Sequence, residues 1–73
     1  MDLEIENCIK RGRKHNMRLT KDNGDVYQGY VFAYYDQEDE KEYEGRPIVA
    51  IIDHQRGSVG IYADDIIKAE ILE

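Results

Sequence analysis

The chain has 73 residues, 41% of them hydrophobic, with 10 basic and 16 acidic side chains and a net charge of −6. This length predicts one small domain, residues 1–73, which buries only about 60% of its unfolded surface, so association with other chains would add to its stability. Its apolar runs are far shorter than the roughly 18 residues of a membrane span, its first residues lack a signal-peptide pattern, and its single cysteine excludes an internal disulfide. We therefore expect a cytoplasmic protein without a membrane partner.

The charges are separated along the chain. The segment from Lys10 to Arg18 carries cations and no acid, whereas the charges from Asp36 to Glu44 are all acidic except that of Lys41. An acidic protein is a poor binder of polyanions. The separation fits a basic protein partner, or a second copy whose basic segment meets the acidic one.

The first predicted element covers residues 2–11. Its apolar residues fit either a strand or a helix, with Ile5, Cys8 and Ile9 on one helical face. We adopt a short helix, because acids begin the segment and cations end it, in agreement with the helix dipole. Gly12 would then end the helix in a left-handed backbone conformation.

Five short strands bounded by turn residues follow. The turn after the first strand contains Asn23 and Gly24, both of which tolerate the positive φ of tight hairpins. Gly29 lies inside the second strand, where we expect the strand to bend. The predicted strands cover residues 14–20, 26–35, 47–52, 58–62 and 66–72, with a polar loop over 36–46. The predicted fold class is mainly β: a short N-terminal helix, then a bent five-stranded antiparallel sheet that closes into a small barrel.

The second strand is rich in aromatic residues. We assign Tyr27, Val31 and Phe32 to the core, and we expect Tyr30 and Tyr34 to form an exposed patch suited to stacking or to protein binding.

Several short segments together resemble the Sm-like family, whose members are bent five-stranded barrels with an N-terminal helix. The resemblance is carried by Met17-Arg18-Leu19, by Gly24-Asp25-Val26-Tyr27-Gln28-Gly29, and then by Val31 and Asp36. It covers about twenty residues well and the remaining strand order loosely, and it implies an Sm-like fold.

The RNA site that the family would imply is missing from the sequence. An Sm-like RNA binder has an Arg-Gly or Lys-Gly pair between its last two strands, where this chain has Ala63-Asp64-Asp65. The residues after Asp36 are acidic and include no Asn or His to hold a base, and Arg56-Gly57 lies one turn too early. Carboxylates repel a phosphate chain.

The sequence predicts no catalytic, cofactor-binding or metal site. His15 and His54 have no partner at the spacing of a zinc site, and Ser58 lacks the context of a nucleophile. The acidic segment 36–44 lacks the pattern of a calcium loop, although weak cation binding there stays open. We therefore expect a protein that is not an enzyme.

Two functions are compatible with these features. The first is a protein-interaction or assembly module of unknown partner, which self-associates through its last two strands. The residues near that seam would be Val59, Ile61, Tyr62, Ile66 and Ile71. The alternative is an RNA-binding Sm-like protein that uses the basic N-terminal segment. Its contacts would be Lys10, Arg11, Arg13, Lys14, Arg18, Tyr30 and Tyr34.

Overall fold

The fold is that of a computed structural model, which describes residues 3–35 and 46–72. Within these residues it consists of one helix and five strands, with a short 3-10 turn before the last strand. The elements are α1 (Leu3–Arg11), β1 (His15–Lys21), β2 (Val26–Tyr35), β3 (Ile48–Asp53), β4 (Gly57–Tyr62), the 3-10 turn (Ala63–Asp65) and β5 (Ile66–Ile71). The predicted elements are confirmed, with strand ends shifted by one residue or so. The acidic segment 36–44 lies outside the described residues.

Helix α1 packs one face against the sheet, as the sequence predicts. Ile9 is buried, Ile5 and Cys8 are half-buried against the core, and the Cys8 thiol lies 3.5 Å from the Ala69 carbonyl oxygen of β5. On the solvent side, Lys10 forms an ion pair of 3.0 Å with Glu6, one turn earlier. The apolar spacing of 3.6 residues is therefore what fixes the helix on β5.

The end of α1 differs from the prediction. The left-handed residue is Lys14, with φ 70°, and not Gly12. Gly12 is buried instead because Met17 packs on it, so that a Cβ at this position would overlap the Met17 side chain. Close packing against Met17, and not a left-handed backbone, explains why glycine occupies this position.

The five strands form one antiparallel sheet in the order β4-β3-β2-β1-β5. The predicted closure is wrong: β4 and β5 are the two edges and do not pair with each other. The sheet is nevertheless strongly bent. Only Ala63–Asp65 join the two edge strands, a connection that spans about 14 Å at most, whereas the edges of a flat five-stranded sheet lie about 19 Å apart.

The bend is built into the pairing of β2 with β3. A Cβ on Gly29 would overlap the carbonyl oxygen of Ile52, so only glycine permits this approach of the two backbones. The pairing register also shifts between Val31 and Ala33, which leaves Phe32 as an extra residue in β2. Such a bulge bends and twists a strand.

The core lies inside this bent sheet and is closed on one side by α1. It contains aliphatic residues from every strand and from the helix. Its buried members are Ile9, Met17, Leu19, Val31, Val49, Ile51, Ile61, Ala63 and Ile66.

The turn between β3 and β4 is organised by the buried carboxylate of Asp53, which is 5% exposed. One oxygen accepts the backbone N–H groups of Gln55 and Arg56 at 2.8 Å each. The other accepts the N–H of Gln28 in β2 at 2.9 Å and lies 3.3 Å from the Arg56 guanidinium. Burial raises the pKa of Asp53, but these hydrogen bonds and the charge of Arg56 outweigh it and lower the pKa below 3.8. Asp53 therefore ties the turn to the neighbouring strand.

Candidate interaction surfaces

A basic cleft lies beside the C-terminal end of α1. Strand β1 begins at His15, opposite Val31, so β2 continues past the start of β1 and the connection from α1 lies next to this extension. The cleft between them has a volume of about 480 Å³. It is lined by Lys10, Arg13 and Lys14 on one side and by Phe32, Ala33 and Tyr34 of β2 on the other.

The cations of the cleft are held in different ways. Lys10 Nζ lies 5.7 Å from the centre of the Tyr34 ring and is paired with Glu6. Arg13 donates Nε–H to the Lys10 carbonyl at 3.1 Å, which closes the helix end without neutralising the guanidinium. Among the described residues, Lys14 forms no ion pair.

The predicted basic set is divided between two places. Arg11 is exposed and does not line the cleft. Arg18 lies on the outer face of the sheet, where it bonds Gln28 at 3.1 Å and Glu70 at 3.3 Å. The cations therefore do not form one continuous track.

The two tyrosines predicted to form one patch are also separated. Tyr30 is exposed on the outer face, whereas Tyr34 is half-buried and packs against the core. The extra residue Phe32 causes this difference, because a bulge moves every later side chain of a strand to the opposite face. Tyr27 packs against the core and Val31 is buried, as predicted, but Phe32 is a half-buried residue of the cleft and no member of the core.

Tyr30 belongs to an apolar row across the outer face, which consists of Tyr30, Ile52 and Leu72. Tyr30 pairs with Ile52 on one side and with Asn16 on the other, and the Leu72 N–H donates to the Asn16 carbonyl at 2.9 Å. All three members of the row are exposed, from 38% to 48%.

The residues predicted at a self-association seam all lie on the edge strands or immediately beside them. Ile61 and Ile66 are buried in the domain's own core, Val59 is half-buried against it, and Ile71 is exposed. Their side chains are therefore mostly engaged within the domain, while the outer backbone edges of β4 and β5 carry no strand within the described residues.

The connection between β4 and β5 contains an arginine that the sequence reasoning missed. Arg46 lies 2.9 Å from Asp65 and 3.6 Å from Asp64, and its guanidinium is 3.8 Å from the centre of the Tyr62 ring. Desolvation lowers the pKa of Arg46, but the hydrogen bond to Asp65 and the two carboxylate charges outweigh it and raise the pKa. The two acids are thus partly neutralised. The pairing of Ile48 with Tyr62 brings Arg46 here, a long-range contact that no local motif reveals.

Among the described residues, no group of three or more His, Cys, Asp and Glu side chains lies close enough together to hold a metal ion. His15 and His54 are both exposed, and Asp53 is occupied by the hydrogen bonds of its turn. No helix in the described ranges has the length and apolar character needed to cross a membrane.

Solved structures with similar folds are known. The chain is similar to YaeO bound to magnesium from Vibrio cholerae O395, with 16% identity, a TM-score of 0.66, and coverage of 100% of this chain and 84% of the other. It is also similar to XC5848 from Xanthomonas campestris, a novel variant of the Sm-like motif, with 19% identity, a TM-score of 0.59, and coverage of 100% and 90%. The fold is Sm-like. No protein-family model matches the chain, and no curated protein matches it.

Proposed function

We propose that this chain is a non-enzymatic Sm-like domain that acts as an interaction or assembly module, and that its first partner is a second copy of itself. Within residues 3–35 and 46–72, its sheet has two edges of equal length that no other strand covers, β4 (Gly57–Tyr62) and β5 (Ile66–Ile71). An open strand edge is a template for pairing with another chain.

The composition of β4 is the observation that carries the proposal. In proteins that stay monomeric, edge strands usually carry charged residues, proline or a bulge that prevents pairing with another chain. β4 contains no charge and no proline, and its ladder with β3 runs without a register shift from Ile48–Tyr62 to Asp53–Gly57. Strand β5 has Lys68 and Glu70, so we expect β4 to be the more adhesive edge.

The apolar row of Tyr30, Ile52 and Leu72 gives the proposal additional support. Tyr30 and Ile52 are direct cross-strand neighbours, Leu72 lies beyond Asn16 of β1, and exposed apolar groups with an aromatic member are enriched in protein interfaces. The row reaches from β5 to β3, so a copy paired at the β5 edge would lie beside it.

Light scattering coupled to size-exclusion chromatography, over a series of protein concentrations, tests the proposal. We expect a molecular mass above the 8.6 kDa of the monomer. This mass should rise with protein concentration. The variant Ser58→Lys introduces a charge on the exposed part of β4 and should lower the assembled fraction about tenfold or more.

Gln55→Lys is the matched control, because it adds the same charge in the adjacent exposed turn, outside β4. It should assemble like the unmodified protein. A protein that remains strictly monomeric at high concentration would remove the self-assembly part of the proposal, and equal effects of both lysines would show that net charge, and not the β4 edge, controls association.

The magnesium named for the Vibrio protein is not part of this proposal. Residues 3–35 and 46–72 lack a cluster of acids and histidines that would bind a cation, and neither similar structure is named as an enzyme.

A further inference from the structure

The basic cleft of Lys10, Arg13, Lys14, Phe32, Ala33 and Tyr34 is distinct from the sheet edges and has the chemistry of a binding site. No carboxylate lines it among the described residues. Glu6 offsets the charge of Lys10, which leaves Arg13 and Lys14 as the net positive charge. The opposite wall consists of two aromatic side chains and an alanine.

The backbone of Lys14 is a second, independent observation. A side chain at φ 70° is strained, and glycine or asparagine adopts this conformation at lower cost. Strained residues of this kind concentrate at functional sites, where the surrounding structure holds them in place. The Lys14 N–H donates to the Val31 carbonyl at 2.7 Å, which anchors the residue beside β2 at the cleft.

The ligand that fits these walls is anionic and partly apolar. A nucleic acid needs a continuous positive track along its backbone, but here Arg18 lies on the outer face in an ion pair with Glu70. The net charge of −6 also opposes a long polyanion. A peptide with carboxylates next to an apolar side chain needs only the few local contacts that the cleft provides.

We propose that the basic cleft binds an acidic segment of a partner protein, with its carboxylates held by Arg13 and Lys14 and an apolar side chain against Phe32 and Ala33. This site rests on the proposed interaction function and adds a second surface to it. The carboxylates form charge-assisted hydrogen bonds with the two cations, and the aromatic wall packs against the apolar side chain of the bound segment.

The test is a titration of the ¹⁵N-labelled full chain with a synthetic peptide of alternating Glu and Phe, at low salt, followed by amide chemical shifts. The shifts should be confined to residues 10–14 and 32–34. The double variant Arg13→Gln with Lys14→Asn should weaken binding about tenfold or more. Asparagine is chosen because it tolerates a positive φ.

The matched control is Arg11→Gln with Lys68→Gln, which removes the same charge from two exposed positions outside the cleft. Its affinity should stay within about twofold of the unmodified protein. Equal losses in both double variants, absence of binding, or shifts centred on the outer row would each overturn the proposal. A short oligouridine that binds more tightly than the peptide, and whose binding is lost only in the cleft variant, would overturn the peptide proposal in favour of a nucleic-acid site.

Light scattering on the same variants separates the two proposals. The cleft variant should keep the oligomeric state of the unmodified protein, because no cleft residue lies on β4 or β5. Normal assembly without peptide binding would remove the cleft inference alone, whereas peptide binding by a strict monomer would remove self-assembly alone.

Discussion

At the scale of single residues, Asp53 gives the clearest link from sequence to structure. The predicted strands 47–52 and 58–62 leave residues 53–57 as a turn, and the structure adds that the Asp53 carboxylate joins this turn to Gln28 of β2. All of the donors around it are backbone N–H groups or Arg56. Its role is therefore to hold two strands in place, and not to transfer protons.

Asp53 makes a definite prediction for the pH dependence of stability. Its pKa is lower in the folded chain than the ordinary 3.8, so its stabilising contribution is complete above that value and is lost as the pH falls through the folded pKa. Asp53→Asn should lower the melting temperature at neutral pH by about 5 °C or more. The difference in melting temperature between Asp53→Asn and the unmodified protein should narrow as the pH falls from about 5 to about 2. Thermal unfolding followed by circular dichroism across this range measures the difference, and a difference of constant size would contradict the prediction.

Two residues of the candidate surfaces show the limit of local reasoning. Lys14 was assigned to the basic segment, but its left-handed backbone follows from how α1 meets β1. The role of Arg46 cannot be predicted locally, because its partners Asp64 and Asp65 are distant in sequence. The adjacent acids Asp64 and Asp65 are the sequence signal for a cation partner at this turn.

At the scale of elements, strand β2 determines the shape of the sheet. Gly29 was predicted as the site of a bend, and the close approach to Ile52 gives that prediction a physical cause. The extra residue at Phe32 was not predicted, since nothing in a run of aromatic and apolar residues fixes which one is left out of the pairing.

Replacement of Gly29 tests the bend directly. Gly29→Ala should destabilise the fold by about 3 kcal/mol, because the new Cβ meets backbone atoms of β3 that cannot move aside. Chemical denaturation measures the loss.

Gly60→Ala is the matched control within another strand. Its Cβ would lie 3.4 Å from the Ile48 side chain, which is an ordinary contact, so stability should be unchanged or higher by up to about 1 kcal/mol. Similar losses in both variants would mean that strand glycines are needed for a reason other than the β2–β3 approach.

At the scale of the whole molecule, small size sets the energetic limits. A domain of 73 residues is stable by about 4–11 kcal/mol, so one well-packed core side chain represents a large share of the total.

The neighbours Ile51 and Ile52 allow the contribution of one core side chain to stability to be measured, since Ile51 is fully buried and Ile52 is 48% exposed. Ile51→Ala should cost about 2–5 kcal/mol and leave the fold marginal. Ile52→Ala should cost less than about 1 kcal/mol. Urea unfolding of both variants compares them, and equal losses would contradict the core as described.

Much of this protein follows from its sequence alone. The helical face of Ile5, Cys8 and Ile9, the hairpin at Asn23 and Gly24, and the five strands all depend on residues close together in the chain, where periodicity and backbone preference act directly. The Sm-like fold is implied by the resemblance of short segments to that family. The separation of basic and acidic segments is likewise a property of the sequence.

The tertiary structure decided which of these residues work together. The bulge at Phe32 places Tyr30 outside and Tyr34 against the core, and the extension of β2 past His15 forms the basic cleft. The strand order places β4 and β5 at the two edges of the sheet. Each outcome depends on pairing between distant segments, where a shift of one residue reverses which face a side chain occupies.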